Sequence, residues 1–247
     1  MDRLIYTAVT GMSDSMIRQG AIASNLANAQ TIGFRAETFD STPVSVVSPS
    51  SLDVRTMVTT GVLGADMTAG SIVETGRSLD LALESEAMLA VQASDGSEAY
   101  TRRGDLSISP SGVLQNGDGR PVIGSGGPIT VPPGSAVTIS PQGNVMVADP
   151  ANPTQPASQV DRIKLAGWKG SRISKATDGL FRVQGGGVLP ADEEATVRSG
   201  ALEQSNVDVT SILVQMVEAQ RLFDMRTKLV ASAKELDESG AGLMRLT

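Results

Sequence analysis

The 247-residue chain contains no cysteine and no histidine. Without cysteine there is no disulfide, no thiolate metal site and no thiol nucleophile. Without histidine it lacks the usual general base near neutral pH and the commonest metal ligand. Aromatic residues make up only 3%, too few for platforms that stack bases or sugars. Positive charge is also short: 20 Lys and Arg stand against 27 Asp and Glu, a net charge of −7. That balance argues against nucleic acid or an anionic membrane as partner. No window approaches the ~18 apolar residues of a membrane span, so no direct membrane insertion is expected. The opening "MDRLIYTAVTGMSDSMIRQG" lacks the apolar core of a cleaved signal peptide and has Asp2 where positive charge belongs.

Motifs that carry chemistry are missing as well. There is no G-x-x-x-x-G-K-[ST], no H-E-x-x-H and no C-x-x-C. Neither Ser125 nor Ser135 has glycine at both the −2 and +2 positions of a nucleophile elbow, and no histidine is there to activate them. Asp192-Glu193-Glu194 lacks the alternate spacing of a calcium loop and reads as a solvated turn. "NGDG" at 116–119 reads as a hairpin turn. Arg103-Gly104-Asp105 spells an adhesion tripeptide, but its glycine fits a turn between two strand-like runs. The expectation is therefore no catalytic residue, no cofactor and no metal.

What the chain does have is periodicity. Ile5, Val9, Met12, Met16, Gln19, Ala23 and Leu26 alternate in steps of four and three, the seam of a long helix of roughly 40 Å at ~1.5 Å per residue. At the other end Ser205 and Asp208 have capping-box spacing, which puts a helix start near Asn206. Beyond it run two apolar stripes. One is Val209, Met216, Phe223 and Val230; the other is Leu222, Leu229, Leu236 and Leu243. A face that wide needs several neighbours. Between the helices the period falls to two, in pairs such as Leu81/Leu83, Val137/Ile139, Val145/Val147 and Ile163/Leu165. Gly and Pro punctuation ("SPSG", "VPPG", "SPQG", "ADPANP") separates these short strands.

The fold class expected is α+β: long N- and C-terminal helices pairing in coiled-coil fashion, a central all-β domain of many short antiparallel strands, and extended connectors. The divisions are 1–36 (N-terminal helix), 37–76 (connector with some strand), 77–184 (β domain), 185–204 (return connector) and 205–247 (C-terminal helix). Two packings stay open: helices that assemble with each other and with further copies, or a monomer whose helices lie on its own sheet.

One stretch singles itself out. Asn25 and Asn28 are a helical turn apart, and Ala27 and Ala29 beside them let another backbone come close. After Thr31, Gly33 can take positive φ and stop the helix, while Phe34 anchors the exit.

These residues carry a resemblance. "ASNLANAQTIGFRAE" (23–37) resembles the N-terminal signature of flagellar rod, hook and hook-associated axial proteins. "SGALEQSNVDVTSILVQMVEAQRLFDM" (199–225) resembles their C-terminal signature, with Leu202-Glu203, Ser205-Asn206-Val207 and Gln220-Arg221 in matching places. The resemblance implies a structural, non-enzymatic subunit of the proximal rod of the bacterial flagellar basal body. It implies a tube in which terminal helices form an inner domain with the β domain outside. Implied partners are copies of itself, other proximal and distal rod subunits, and the flagellar type III export apparatus. Implied localisation is the rod crossing the periplasm, reached without a cleaved signal peptide. The assembly contacts expected are Asn25, Asn28, Thr31, Gly33, Phe34, Met12 and Met16 on the first segment, with Glu203, Ser205, Asn206, Val207, Met216, Gln220, Arg221 and Phe223 on the last. Rival readings are a distal rod or hook subunit of the same family, and a secreted monomeric binding or hydrolase domain.

Overall fold

A computed structural model of the chain describes residues 2–45, 56–84, 86–148 and 156–244. The "ADPANP" turn runs into residues 149–153 and so falls outside them. The fold is α+β and divides into two compact units. The first comprises Met1–Ala29, Glu37–Gly64 and Val207–Thr247; the second comprises Gln30–Ala36 and Ala65–Asn206.

The first unit is built from α1 (Asp2–Ala27), β1 (Glu37–Ser45), β2 (Thr56–Ala65) and α2 (Val209–Met244). Strands β1 and β2 form a two-stranded sheet. Helix α1 stops where Asn28 bonds back: its N–H and its side-chain amide both donate to the Ser24 carbonyl, at 3.1 and 2.9 Å. Helix α2 starts three residues later than its sequence suggests. Asp208 is itself the N-cap, its Oδ1 accepting from Thr210 N at 2.9 Å and Ser211 N at 3.4 Å. The expected capping box fails because Asn206 is held in an extended segment of the second unit.

The two helices pack on each other. Ile22, Ile212 and Ala219 are buried together, with Leu26, Phe39, Val207 and Met216 around them. The α1 face involved is not the expected seam. Val9 and Met16 are 51% and 62% exposed, Ala23 is exposed, and Met12, Gln19 and Leu26 are half-buried. The buried stripe is instead Gly11, Ser15, Ile22 and Asn25, about one residue further round. The reason is Arg226 on α2, whose Nη1 donates to the Gly11 carbonyl, Ser15 Oγ and Asp14. Small residues make room for that guanidinium, a preference that counting apolar residues does not register.

Among the described residues the second unit holds fourteen strands: β3 (Ile72–Glu74), β4 (Leu81–Leu83), β5 (Ala87–Gln92), β6 (Glu98–Thr101), β7 (Ser107–Ile108), β8 (Leu114–Gln115), β9 (Ala136–Ile139), β10 (Asn144–Ala148), β11 (Ser158–Arg162), β12 (Leu165–Gly167), β13 (Ile173–Lys175), β14 (Phe181–Val183), β15 (Val197–Ser199) and β16 (Ala201–Glu203). They form a five-stranded sheet (β12-β5-β6-β14-β13), a three-stranded sheet (β11-β10-β9) and the pairs β15-β4, β16-β3 and β7-β8. Period two holds here. Val137 and Ile139 on β9 and Val145 and Val147 on β10 point into one core with Leu81, Leu83, Leu89, Leu106, Leu114 and Ile163.

Five hairpin turns share one geometry: "ASDGS" (93–97), "SPSGV" (109–113), "NGDGR" (116–120), "SPQGN" (140–144) and "ATDGL" (176–180). In each, the first residue's N–H donates to the fifth residue's carbonyl, and the glycine N–H donates back to the first residue's carbonyl. The glycines at 96, 112, 119, 143 and 179 all have φ between 74° and 83°. This is a type I turn closed by a left-handed glycine, a three-residue hairpin loop. The turn chemistry therefore fixes the register of several strands.

Candidate functional site

In the second unit the exit of the first chain segment meets the return of the last. Gly33 has φ 66°, and its N–H donates to the Glu203 carbonyl at 2.8 Å. A Cβ there would sit 2.4 Å from the backbone C and O of Arg102, so only glycine fits. Thr31 closes the preceding turn, its carbonyl accepting from Phe34 N at 3.2 Å. The Phe34 ring carries the Lys175 ammonium 3.5 Å from its centroid, and that ammonium also donates to the Arg35 carbonyl at 3.0 Å.

Glu203 is the hub. Its carboxylate is 2% exposed; Oε1 accepts from Arg35 Nη2 at 2.6 Å and Gly70 N at 2.9 Å, and Oε2 accepts from Arg102 Nε at 2.7 Å. Arg102 donates onward to the carbonyls of Ala87 and Leu83 at 2.8 and 2.7 Å. Burial pulls its guanidinium below the usual arginine range, and Glu203 counters that shift. Arg35 is 1% exposed, and its Nε and Nη1 have no hydrogen-bond partner. Two buried cations thus share one buried anion.

Asn206 sews the adjoining strands. Its Oδ1 accepts from Ala36 N at 2.7 Å, and its Nδ2 donates to the carbonyls of Asp66 and Thr68 at 2.9 and 3.1 Å. Ser205 beside it is half-buried.

In the first unit Asn25 plays the matching part. It is 3% exposed, and its amide both gives to and takes from the backbone of Glu37, at 3.0 and 2.7 Å. The side chain stands in for a strand's edge and fixes how β1 leaves α1. We expect Asn25→Ala to cost about 1–3 kcal/mol, because it leaves two partly buried backbone groups unpaired; urea unfolding measures this directly.

The remaining expected contacts separate by exposure. Val207 and Met216 join the α1–α2 core, Phe223 is half-buried, and Gln220 and Arg221 face outward with Met16. Arg35, Arg102, Arg226, Asp14 and Ser15 were missed. Glu203 lies 101 residues from Arg102 and 168 from Arg35, so no local spacing signals that cluster.

Among the described residues no group of three or more acidic, Cys or His side chains could hold a metal. No described helix is long and apolar enough to cross a membrane. Arg103 and Asp105 of the tripeptide bond each other at 2.8 Å, and Arg103 also holds Asp118 at 2.6 Å. One cavity of about 730 Å³ lies in the second unit, lined by Arg35, Met67, Leu83, Trp168, Asp192 and Glu203 among others.

Three family profiles match the chain. Residues 5–35 match the one described as flagella basal body rod protein, 82–147 the flagellar hook protein FlgE/F/G D1 domain, and 198–243 the flagellar basal body rod FlgEFG protein C-terminal. Relatives include the flagellar basal-body rod protein FlgF of Salmonella typhimurium strain LT2, 42% identical, and of Escherichia coli strain K12, 41% identical. Each alignment covers 95% of both chains. The chain belongs to the flagellar basal-body rod family. It is a structural subunit of the bacterial flagellar rod, not an enzyme. The flagellar basal-body rod protein FlgG of Bacillus subtilis strain 168 is more distant, 28% identical over 99% of this chain and 100% of its own length. The Gly33 exit lies within the N-terminal match, and Glu203 and Asn206 lie within the C-terminal one.

Proposed function

We propose that this rod subunit polymerises through its terminal helices in the proximal part of the rod, where it forms part of the drive shaft and export channel. The observation that carries this reading is the uncovered side of α2. Ile212 and Ala219 are buried against α1, whereas Val209, Leu213, Val214, Val217, Met225 and Leu229 are 43–60% exposed. At about 100° per residue those six fan over roughly 200° of the helix. Asp224, Arg221 and Glu218 lie on the same arc, and so many large apolar side chains exposed between charges mark an interaction surface. Val9, Met16 and Ile17 on α1 are exposed in the same way. Each such side chain contributes ~1.5–3 kcal/mol when fully covered.

On this reading the helices 1–36 and 205–247 form a coiled-coil-like inner domain among neighbouring copies and other rod subunits, proximal and distal. The β domain lies outside. Met12, Met16, Met216, Gln220, Arg221 and Phe223 supply contacts, while Asn25, Asn28, Thr31, Gly33, Phe34, Glu203, Ser205, Asn206 and Val207 shape the segments that join helices to strands. The chain reaches the rod through the flagellar type III export apparatus without a cleaved signal peptide. Its small helical core suits passage in an unfolded state.

Two experiments test this. An in-frame deletion should abolish swimming and truncate the basal body, and a normally motile deletion strain overturns the assignment. Leu213→Glu with Leu229→Glu alters exposed positions, so it should change isolated-chain stability by no more than about 0.5 kcal/mol each. The variant should still be secreted yet fail to restore motility. Full restoration would show that the α2 face is not an assembly surface. Labelling the subunit along the rod separates a proximal from a distal or hook position.

A further inference from the structure

The pair β16-β3 leaves one edge open. Gln204 N donates to the Ser71 carbonyl and Thr75 N to the Gly200 carbonyl, both at 2.8 Å. With Val73 opposite Leu202 in register, Ser71, Val73 and Thr75 turn their backbone groups toward β16. Ile72 and Glu74 therefore turn theirs the other way. On β16 the equivalent outward carbonyl, that of Glu203, is taken by Gly33 N. On β3 no second strand follows among the described residues. The whole strand is exposed, with Ile72 at 45% and Val73 at 48%.

Open edges are ordinarily blunted by lysine, proline, a bulge or a covering loop. Strand β3 is short, three residues with Glu74 as its one charge, but it has none of the first three: its sequence is Ile-Val-Glu and its register is continuous. Beside Ile72 opens the 730 Å³ cavity, with Met67, Leu83 and Trp168 on its walls. Its exposed rim is acidic. Glu84, Glu86 and Asp192 stand there with Lys169, which pairs with Glu86 at 3.1 Å, while the cations Arg35 and Arg102 lie deeper in the lining, paired with Glu203.

We propose that the free edge of β3 receives an extended segment of a neighbouring subunit, which adds a strand through the outward backbone groups of Ile72 and Glu74. An apolar side chain of that segment enters the cavity against Met67 and Trp168, and a Lys or Arg next to it meets the acidic rim. Backbone pairing supplies the affinity, and the cavity and rim supply the selectivity. This inference rests on the assembly reading above and adds a second, β-mediated contact to the helical one.

Proline at position 72 removes only an outward donor and leaves the β3–β16 bonds in place. Ile72→Pro should keep the circular dichroism and melting midpoint of the isolated chain but lose incorporation into purified basal bodies. Ile72→Ala, which keeps the donor, should retain more. In parallel, benzoylphenylalanine at position 72 in assembled basal bodies should give a photo-adduct with another polypeptide. If the deletion strain is immotile while Ile72→Pro incorporates and swims like the parent, strand addition is overturned and the rod assignment stands. If the proline also lowers the melting midpoint, the photo-adduct decides: an adduct to another chain supports the proposal, and an adduct within the same chain, or none, overturns it.

Discussion

Glu203→Ala should destabilise the second unit by about 3–5 kcal/mol, because it strips the shared counter-charge from two buried guanidinium groups. Arg35 and Arg102 are 1% and 5% exposed, so water from the adjoining cavity replaces the lost carboxylate only in part. Arg102 keeps its bonds to Ala87 and Leu83, whereas Arg35, already lacking partners at Nε and Nη1, loses the bond from Nη2 as well. Glu203→Gln keeps an acceptor and the volume but not the charge, and its cost should fall between zero and that of alanine. Arg35→Met should cost least of the three. It removes an under-satisfied cation and leaves Glu203 paired with Arg102 and Gly70 N. Urea unfolding of the four proteins ranks them, and a larger loss for Arg35→Met than for Glu203→Ala would invert the account.

Gly33→Ala should be the other severe change, at roughly 2–5 kcal/mol, combining left-handed strain with overlap against backbone. The added methyl would lie 2.4 Å from Arg102 C and O and 2.6 Å from Arg103 N. Gly96 supplies the control: its φ is 82°, yet nothing lies within 4 Å of a built Cβ. Gly96→Ala should therefore show only the conformational part, ~1–2 kcal/mol. At about 2–4 °C per kcal/mol for a unit of this size, melting curves resolve the two. Equal shifts at both positions would show that the Arg102 contact does not matter.

The sequence displays the strands and turns well because both are local. Alternation at Val137/Ile139 and Val145/Val147 and glycine at the fourth turn position act over a few residues, and tertiary packing agrees with them. The Gly33 break is legible only in part: the glycine marks the reversal into Phe34, but α1 itself ends earlier, at Ala27, where Asn28 bonds back to Ser24. Helix faces are less legible. The seam through Val9 and Met16 is a sound period, but Arg226 selects the smaller Gly11 and Ser15 instead. The α2 start is misplaced because Asn206, an acceptable cap by type, is recruited by Ala36, Asp66 and Thr68. Asn25 is legible as an amide able to pair with backbone, but the backbone it meets is that of Glu37 in the same chain rather than of a neighbour. The Arg35–Glu203–Arg102 cluster is invisible to any local pattern, because three charged residues far apart in sequence look like ordinary surface until the fold brings them together.

The position of Glu203 also sets a timetable. Synthesis delivers the chain from its N-terminus, so Arg35 and Arg102 exist for a long interval before residue 203 does. During that interval their burial has no compensating anion, Gly33 has no carbonyl to bind, and strand β3 lacks its partner β16. Closure of the β unit must wait for the last fifth of the polypeptide. A nascent chain therefore completes this unit only once its C-terminal part has been made.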